Sequence, residues 1–540
     1  MNKVIIKYMF LNKKNYWMFA KFAITICALS ALISYGMYAS YSISLTSLLL
    51  SVGVVFLLRR EQGNIAWWKA FVWGLSAFLL RGSIVWALKV FPLEDHDLVI
   101  LTLQMPLDGF VMPFILEYLL NVFIVGLFLI FLSLPFLKRC LKKLSFKGSI
   151  AFFMFLMLWN ILSIYLEVPL QQYWNFIRGT SSNLVLSESE FWEKNYVNAD
   201  SLNVEMVETP RNLILIIMES MENWPDSITP ELKQMYDKNI SFSSTDSFGG
   251  GIDVAGSRNT YCATLSKTTG VPMLRESRYR SKTDLMRVKS IYDVLHRFGY
   301  KNAFLQGTDA NFAGFNRFLQ NHGIDYLFDM NSLEKEWDMD SFLRNFRTFS
   351  AGITDKRLYE ISKSILDTIS KGPFSLTLAT IETHYPYGFY NSQCLEKPEN
   401  ISEKAKFKAT LKCASREVYE YVEWIKKQKF YKNTEIVVVG DHLFMGDYFV
   451  KGRDREWVTI FINPQRNPKT LKRKFVSLDI APSILESMGF QIEGHKMGLG
   501  TSLYSDSMTL LEKMGRMKLN EELTDLSRSV EYNQLHRPWN

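Results

Sequence analysis

Cysteine is scarce in this chain, five residues in 540, so a disulfide-stapled scaffold is excluded. Charge is also sparse: Asp, Glu, Lys and Arg make up 21% against 48% hydrophobic and 14% aromatic residues, which excludes a disordered or collagen-like chain. No internal repeat is visible. The formal net charge of +8 suggests a nucleic-acid binder, but its distribution gives another explanation.

A mean hydropathy of −0.01 hides two populations. Five apolar runs crowd the first third: Phe22–Ser40, Ile43–Leu58, Ala70–Val90, Ile115–Leu137 and Ser149–Val168. About 20 apolar residues cross a bilayer core, so each run is an expected span. The second is short, and the third carries Arg81. Lys3, Lys7, Lys13, Lys14 and Lys21 precede the first run; Arg59, Arg60 and Lys69 follow the second; Lys138, Arg139, Lys142, Lys143 and Lys147 follow the fourth. The opposite side has Lys89 against Glu94, Asp95, Asp97 and Asp108. Positive loops stay in the cytoplasm, so five crossings leave everything after residue 168 outside. This asymmetry accounts for most of the net charge without nucleic acid. Arg81 and Glu117 read either as functional intramembrane charges or as snorkelling or mutually paired ones.

Four regions are expected: a transmembrane bundle over 1–168, a linker over 169–205, an outer domain over 206–507 and a polar tail over 508–540. In the linker, Tyr173, Trp174, Phe176, Phe191, Trp192 and Tyr196 suit interfacial helices or an ordinary connection. In the outer domain, Asn212–Met218, Asn302–Leu305, Phe374–Thr380, Glu435–Val439 and Val458–Ile462 read as buried strands. Helix-like stretches lie between them: Asp284–Phe298, Asp355–Ser370, Ala405–Gln428 and Ile480–Met488. The alternation predicts an α/β sheet covered on both faces.

Ligands of such sheets bind beyond the carboxyl ends of the strands. Glu219, then Glu382, Thr383 and His384, then Gly440, Asp441 and His442, follow three of the strands. A carboxylate beside an imidazole suits a divalent ion with mixed oxygen and nitrogen ligands. A turn Asp and a surface His are the plainer alternative for Asp441 and His442. The Gly249-Gly250-Gly251 loop precedes an expected helix over Asn259–Lys267, whose start carries Thr260. Thr260 is there either a hydroxyl exposed to phosphate and metal or an N-cap. His296 and His322 read as structural. His495 is left unassigned, and Arg453 with Arg455 reads as a phosphate clamp or a solvated pair.

These pieces together resemble the alkaline phosphatase/sulfatase superfamily, in its branch of membrane-anchored phosphoglycerol transferases, which includes lipoteichoic acid synthases and enzymes that decorate periplasmic glucans. The resemblance rests on Asn212–Glu219, Thr260 ahead of Gly270-Val271-Pro272, Gly307–Asp325, Thr383–Phe389, Gly440-Asp441-His442, Asp479-Ile480-Ala481-Pro482 and Gly498–Leu503, in that order. It implies a sulfatase/alkaline phosphatase-like α/β domain behind the five-span bundle, in the bacterial inner membrane with the catalytic domain outside. It implies Glu219, Thr260, Asp441 and His442 as ligands of one divalent ion, Mn²⁺ favoured and Mg²⁺ or Zn²⁺ possible. It also implies Thr260 as nucleophile, His384 at the phosphate or the leaving group, and Asp309 in the substrate pocket.

The implied reaction moves a glycerophosphoryl group from phosphatidylglycerol to a glycan through a phospho-threonine. A phosphoethanolamine transferase or a phosphodiesterase using the same site, and an inactive envelope scaffold, are the alternatives. Ala313 and Phe315 stand where lipoteichoic acid synthases show Trp and Arg, which favours glycan substitution over polymerisation. Cys262 lacks the C-x-P-x-R context of formylglycine conversion, which argues against sulfatase activity. An oxidising compartment permits a disulfide between Cys394 and Cys413.

Overall fold

The computed structural model describes residues 186–536, apart from 199–201, 207–208, 246, 275–286, 312–313, 337–351, 386–387, 391–393, 395, 401, 447–448 and 450–453. The chain divides into two units, Met1–Ser182 and Asn183–Asn540, and every described residue falls in the second. The five expected spans, Arg81, Glu117 and the charged loops lie outside the described residues. Among the described residues, no helix is long and apolar enough to cross a membrane.

The strand Asn212–Met218 (β2) is buried at all seven positions. A run without polar alternation fits only a strand covered on both faces. Its even residues Ile214 and Ile216 join one hydrophobic cluster with Ile436 and Val438, while Leu213, Leu215 and Ile217 join a second with Val437 and Val439. Around it lie β1 (Val204–Met206), β3 (Gly250–Gly251), β4 (Lys301–Gln306), β5 (Tyr326–Phe328), β6 (Phe374–Ala379), β7 (Thr434–Gly440), β8 (Trp457–Ile462) and β9 (Phe490–Ile492). The main sheet runs β3-β8-β7-β2-β6-β4-β5. The pairs among β7, β2, β6, β4 and β5 are parallel, whereas β8 is antiparallel to β7 and β3 to β8. All five strands read from the sequence are present, shifted by one residue at most at either end.

The helices that position the site are α1 (Glu190–Asn195), α2 (Pro230–Lys238), α3 (Thr260–Thr269), α4 (Ile291–Arg297), α5 (Phe315–Asn321), α6 (Asp355–Ile369), α7 (Glu403–Lys426), α8 (Ile480–Ser487), α9 (Leu510–Asp525) and α10 (Val530–Gln534). Helices α3, α4, α8 and α9 contribute to the cluster that holds Leu215, and α2, α6 and α7 to the other. A capping box on Ser290, with Asp293 answering it, starts α4 at Ile291, later than the sequence pattern suggests.

The segments flanking the outer domain pack onto it. Trp192 of α1, Val204 of β1, and Leu519, Leu523 and Tyr532 of the tail all belong to the same buried cluster. Strand β1 pairs with β9. The tail, polar in sequence, forms α9 and α10, which bury Leu510, Leu511, Leu519, Leu523 and Tyr532, with α9 kinked at Gly515.

Candidate metal and phosphoryl-transfer centre

Register builds the centre. Met218 of β2 lies opposite Gly440 of β7, and Ile217 lies opposite Ala379 of β6. The residues that follow, Glu219, Asp441 and Thr380, therefore emerge side by side at the carboxyl edge. Gly440 is required there: a Cβ would sit 2.0 Å from the Met221 carbonyl. Glu219, Asp441 and His442 are each about 1% exposed or less, and each offers a ligand atom within 4.8 Å of the others. Helix α3 supplies the fourth group. Asn259 caps it by accepting from the Cys262 N–H, so Thr260 is the first helical residue and its hydroxyl is not spent on capping. Thr260 Oγ1 lies 2.8 Å from Glu219 Oε2 and 3.4 Å from His442 Nε2.

The donor set suits a divalent cation. Two carboxylates, one imidazole and one hydroxyl mix oxygen with nitrogen, as Zn²⁺ and Mn²⁺ accept. Asp441 Oδ2 is buried and accepts no hydrogen bond, the kind of orphan that a cation satisfies. His442 Nδ1 lies 2.8 Å from the Leu443 carbonyl and donates to it, which directs Nε2 into the cluster. The local field calls for positive charge. Burial, then Asp441, raises Glu219 to about 8. Burial works against the imidazolium of His442, yet Asp441, Glu219 and Asp253 together raise it to about 9.

His384 follows β6, half-buried, with Nδ1 2.6 Å from the Tyr385 carbonyl and its ring stacked on Phe389. Burial, aided by the nearby His442, lowers it to about 4, so the imidazole is neutral at pH 7. Asp309 stands apart from the four groups in its bonding, with Oδ1 accepting from the backbone and side-chain N–H groups of Asn311 at 2.8 and 2.9 Å.

The other candidates have structural partners. Arg455 forks onto buried Glu222 at 2.7–3.2 Å and also reaches the Phe444 carbonyl, so it clamps a loop; Arg453 lies outside the described residues. His322 is buried against Asp293, and His296 lies 3.6 Å from Asp325. His495 pairs with Glu486 at 2.6 Å. Cys262 is buried in the core, and Cys394 and Cys413 are joined in a disulfide.

Sequence reasoning missed three groups around the centre. Lys267, two helical turns after Thr260 and fully buried, donates to the Asp441 carbonyl at 2.6 Å and lies over the Trp457 ring. Asp253 accepts from the Leu443 N–H at 3.0 Å. Ser220 bonds both acidic ligand candidates. The spacing of Lys267 from Thr260, close to two turns, is the one signal that could have flagged it.

Comparison with known proteins bears on the same residues. The sulfatase family model matches residues 211–490. Phosphoglycerol transferase I of Citrobacter koseri is 27% identical over 315 residues, 54% of this chain and 39% of that protein. Phosphoglycerol transferase I of Escherichia coli (strain SMS-3-5 / SECEC) is 27% identical over 320 residues, 55% of this chain and 40% of that protein. The chain thus spans about two fifths of the length of these curated relatives. The lipoteichoic acid synthase LtaP from Listeria monocytogenes is 16% identical, with a TM-score of 0.49 over 63% of this chain and 98% of that one. The family match takes in over half of the chain, including Glu219, Thr260, His384, Asp441 and His442. On that extent, the chain belongs to the sulfatase family.

Proposed function

We propose that the protein is a metal-dependent phosphotransferase that moves the glycerophosphoryl group of phosphatidylglycerol to a glycan hydroxyl through a phospho-threonine at Thr260. One observation carries the reading. The Thr260 hydroxyl, free of capping duty at the start of α3, lies within 3.4 Å of both Glu219 and His442. Glu219, Asp441, His442 and Thr260 would hold the ion, with Mn²⁺ favoured and Mg²⁺ or Zn²⁺ possible. Bound there, a divalent cation makes a threonine hydroxyl more acidic and offsets charge on phosphorus.

In the first step the Thr260 Oγ1–phosphorus bond forms, the bond from phosphorus to the diacylglycerol oxygen breaks, and that oxygen takes a proton from water as it leaves. The hydroxyl hydrogen of Thr260 already points to Glu219 Oε2 at 2.8 Å, which gives the proton a path. In the second step an acceptor hydroxyl attacks the same phosphorus and gives its proton to water, while Thr260 leaves and takes its proton back from Glu219. His384, neutral at pH 7, is assigned to the substrate phosphate or the leaving group. Asp309 is assigned to the substrate pocket on the family resemblance alone. Cys262 is buried and lacks the formylglycine context, which supports phosphoryl rather than sulfuryl chemistry.

The relatives' name and the lipid donor fit a multi-span anchor over 1–168, a linker over 169–205, an extracytoplasmic domain over 206–507 and a tail over 508–540 in a bacterial inner membrane. The disulfide fits an oxidising compartment. The test is to incubate the full-length protein in detergent with headgroup-labelled phosphatidylglycerol and divalent cation. Label on the Thr260 peptide, absent from Thr260→Ala, is the expected result. Label from phosphatidylethanolamine alone would change the headgroup. Release of free glycerol phosphate with no adduct would replace transfer by hydrolysis.

A further inference from the structure

Between Glu219 and Met221 the backbone adopts an unusual conformation. Ser220 has φ of 47°, in the left-handed region that few residues other than glycine occupy. This turn aims two donors of one fully buried residue at two different acids. Its N–H donates to Asp441 Oδ1 at 2.7 Å, and its hydroxyl donates to Glu219 Oε1 at 2.7 Å. The His442 N–H also donates to Asp441 Oδ1, at 2.7 Å. In Asp441, therefore, one oxygen is anchored and the other faces the cluster, whereas Glu219 Oε1, though held by Ser220, still lies 3.6 Å from His442 Nε2. Asp441 Oδ2 carries no hydrogen bond, and Glu219 Oε2 meets Thr260.

We infer that Ser220 is a positioning residue that engages one oxygen of Glu219 and one of Asp441, leaves the other oxygen of each for the cation, and so sets which ions the centre prefers. The inference rests on the metal reading above. With those two oxygens engaged by Ser220, the donors left for a cation are Glu219 Oε2, Asp441 Oδ2, His442 Nε2 and Thr260 Oγ1. A four-atom set leans toward an ion content with four ligands, such as Zn²⁺, and away from the Mn²⁺ that the family resemblance favours. An acid freed to give both oxygens suits ions that take more oxygen ligands, such as Mn²⁺. Loss of the hydroxyl from Ser220 frees Glu219 in that way, while the Asp441 anchor, a backbone N–H, stays.

The test measures binding of Zn²⁺ and Mn²⁺ separately to the metal-stripped full-length protein, by competition with a chelating dye. The proteins compared are wild type, Ser220→Ala and Ser220→Gly. Glycine takes the left-handed turn without strain, so it carries the test if the alanine variant does not fold. Zinc affinity is expected to fall about 10- to 100-fold, as for loss of other groups that orient a ligand. Manganese affinity falls less, so the zinc-to-manganese preference narrows about tenfold or more. A merely structural role would shift the melting temperature and leave that preference alone. An unchanged preference in a folded variant overturns the inference. Failure of the wild type to bind either ion removes the metal reading itself, and this inference with it.

Discussion

Tyr532→Phe is the most informative single change outside the centre. Tyr532 is fully buried in α10, at the far end of the chain from the segment that it holds. Its hydroxyl donates to the Pro272 carbonyl at 2.7 Å and accepts from the Leu274 N–H at 2.9 Å. Those residues continue directly from α3, the helix that begins at Thr260. Phenylalanine keeps the ring and its edge contact with Trp192 and removes only the oxygen. Two buried bonds to the backbone are lost, at about 1–2 kcal/mol each, or about 3 kcal/mol in sum. For a unit of roughly 350 residues, unfolding entropy near 0.7 kcal/mol per kelvin turns that into a fall in Tm of about 4 °C. Scanning calorimetry on wild type and variant measures it, with urea unfolding as the check on free energy. A loss below about 0.5 kcal/mol would refute the claim that the tail buttresses the nucleophile helix.

Three further outcomes follow from the same geometry. Arg455→Met leaves Glu222 buried without its guanidinium and should cost about 3 kcal/mol in urea unfolding, with part recovered in the Glu222→Gln, Arg455→Met double variant. Burial lowers His536 to about 3, so the folded state keeps it neutral while the unfolded chain protonates near pH 6.5. Stability from this group is complete above pH 6.5 and falls by up to about 1.4 kcal/mol per pH unit toward pH 3. The Tm difference between wild type and His536→Phe should therefore be flat above pH 7 and drift in favour of the variant below pH 6. Chelation should lower the Tm of the wild type, and Mn²⁺ resupplied at about 100 times its Kd should add about 2.7 kcal/mol. Asp441→Asn should show neither response.

Much of the α/β unit was legible in the amino-acid order because its signals are local. Runs such as Asn212–Met218 and Thr434–Gly440 have no polar alternation, and only a strand buried on both faces tolerates that. Residues just past such strands lie at the carboxyl edge, so Glu219, His384, Asp441 and His442 stood out before any coordinate. The start of α6 at Asp355, which Thr354 caps, was legible, whereas α7 begins at Glu403, two residues before the sequence pattern suggests.

Tertiary structure decided what depends on partners distant in the chain. Pairing of Met218 with Gly440, 222 residues on, sets Glu219 beside Asp441, and no local pattern encodes that register. Whether Thr260 is the N-cap of α3 or a hydroxyl free for chemistry is decided by Asn259, which takes the capping role. Arg455 reads as a phosphate clamp or a solvated residue from sequence because its buried partner, Glu222, comes from the turn after β2. The left-handed turn at Ser220, the burial of Lys267 beneath Asp441 and the docking of a polar tail through Tyr532 are likewise invisible in the sequence. The sequence determined which residues reach the edge of the sheet, because side-chain alternation and strand length are properties of neighbours. Folding alone decided which of them meet, because a hydrogen bond or a shared cation joins groups whose separation along the chain carries no energy of its own.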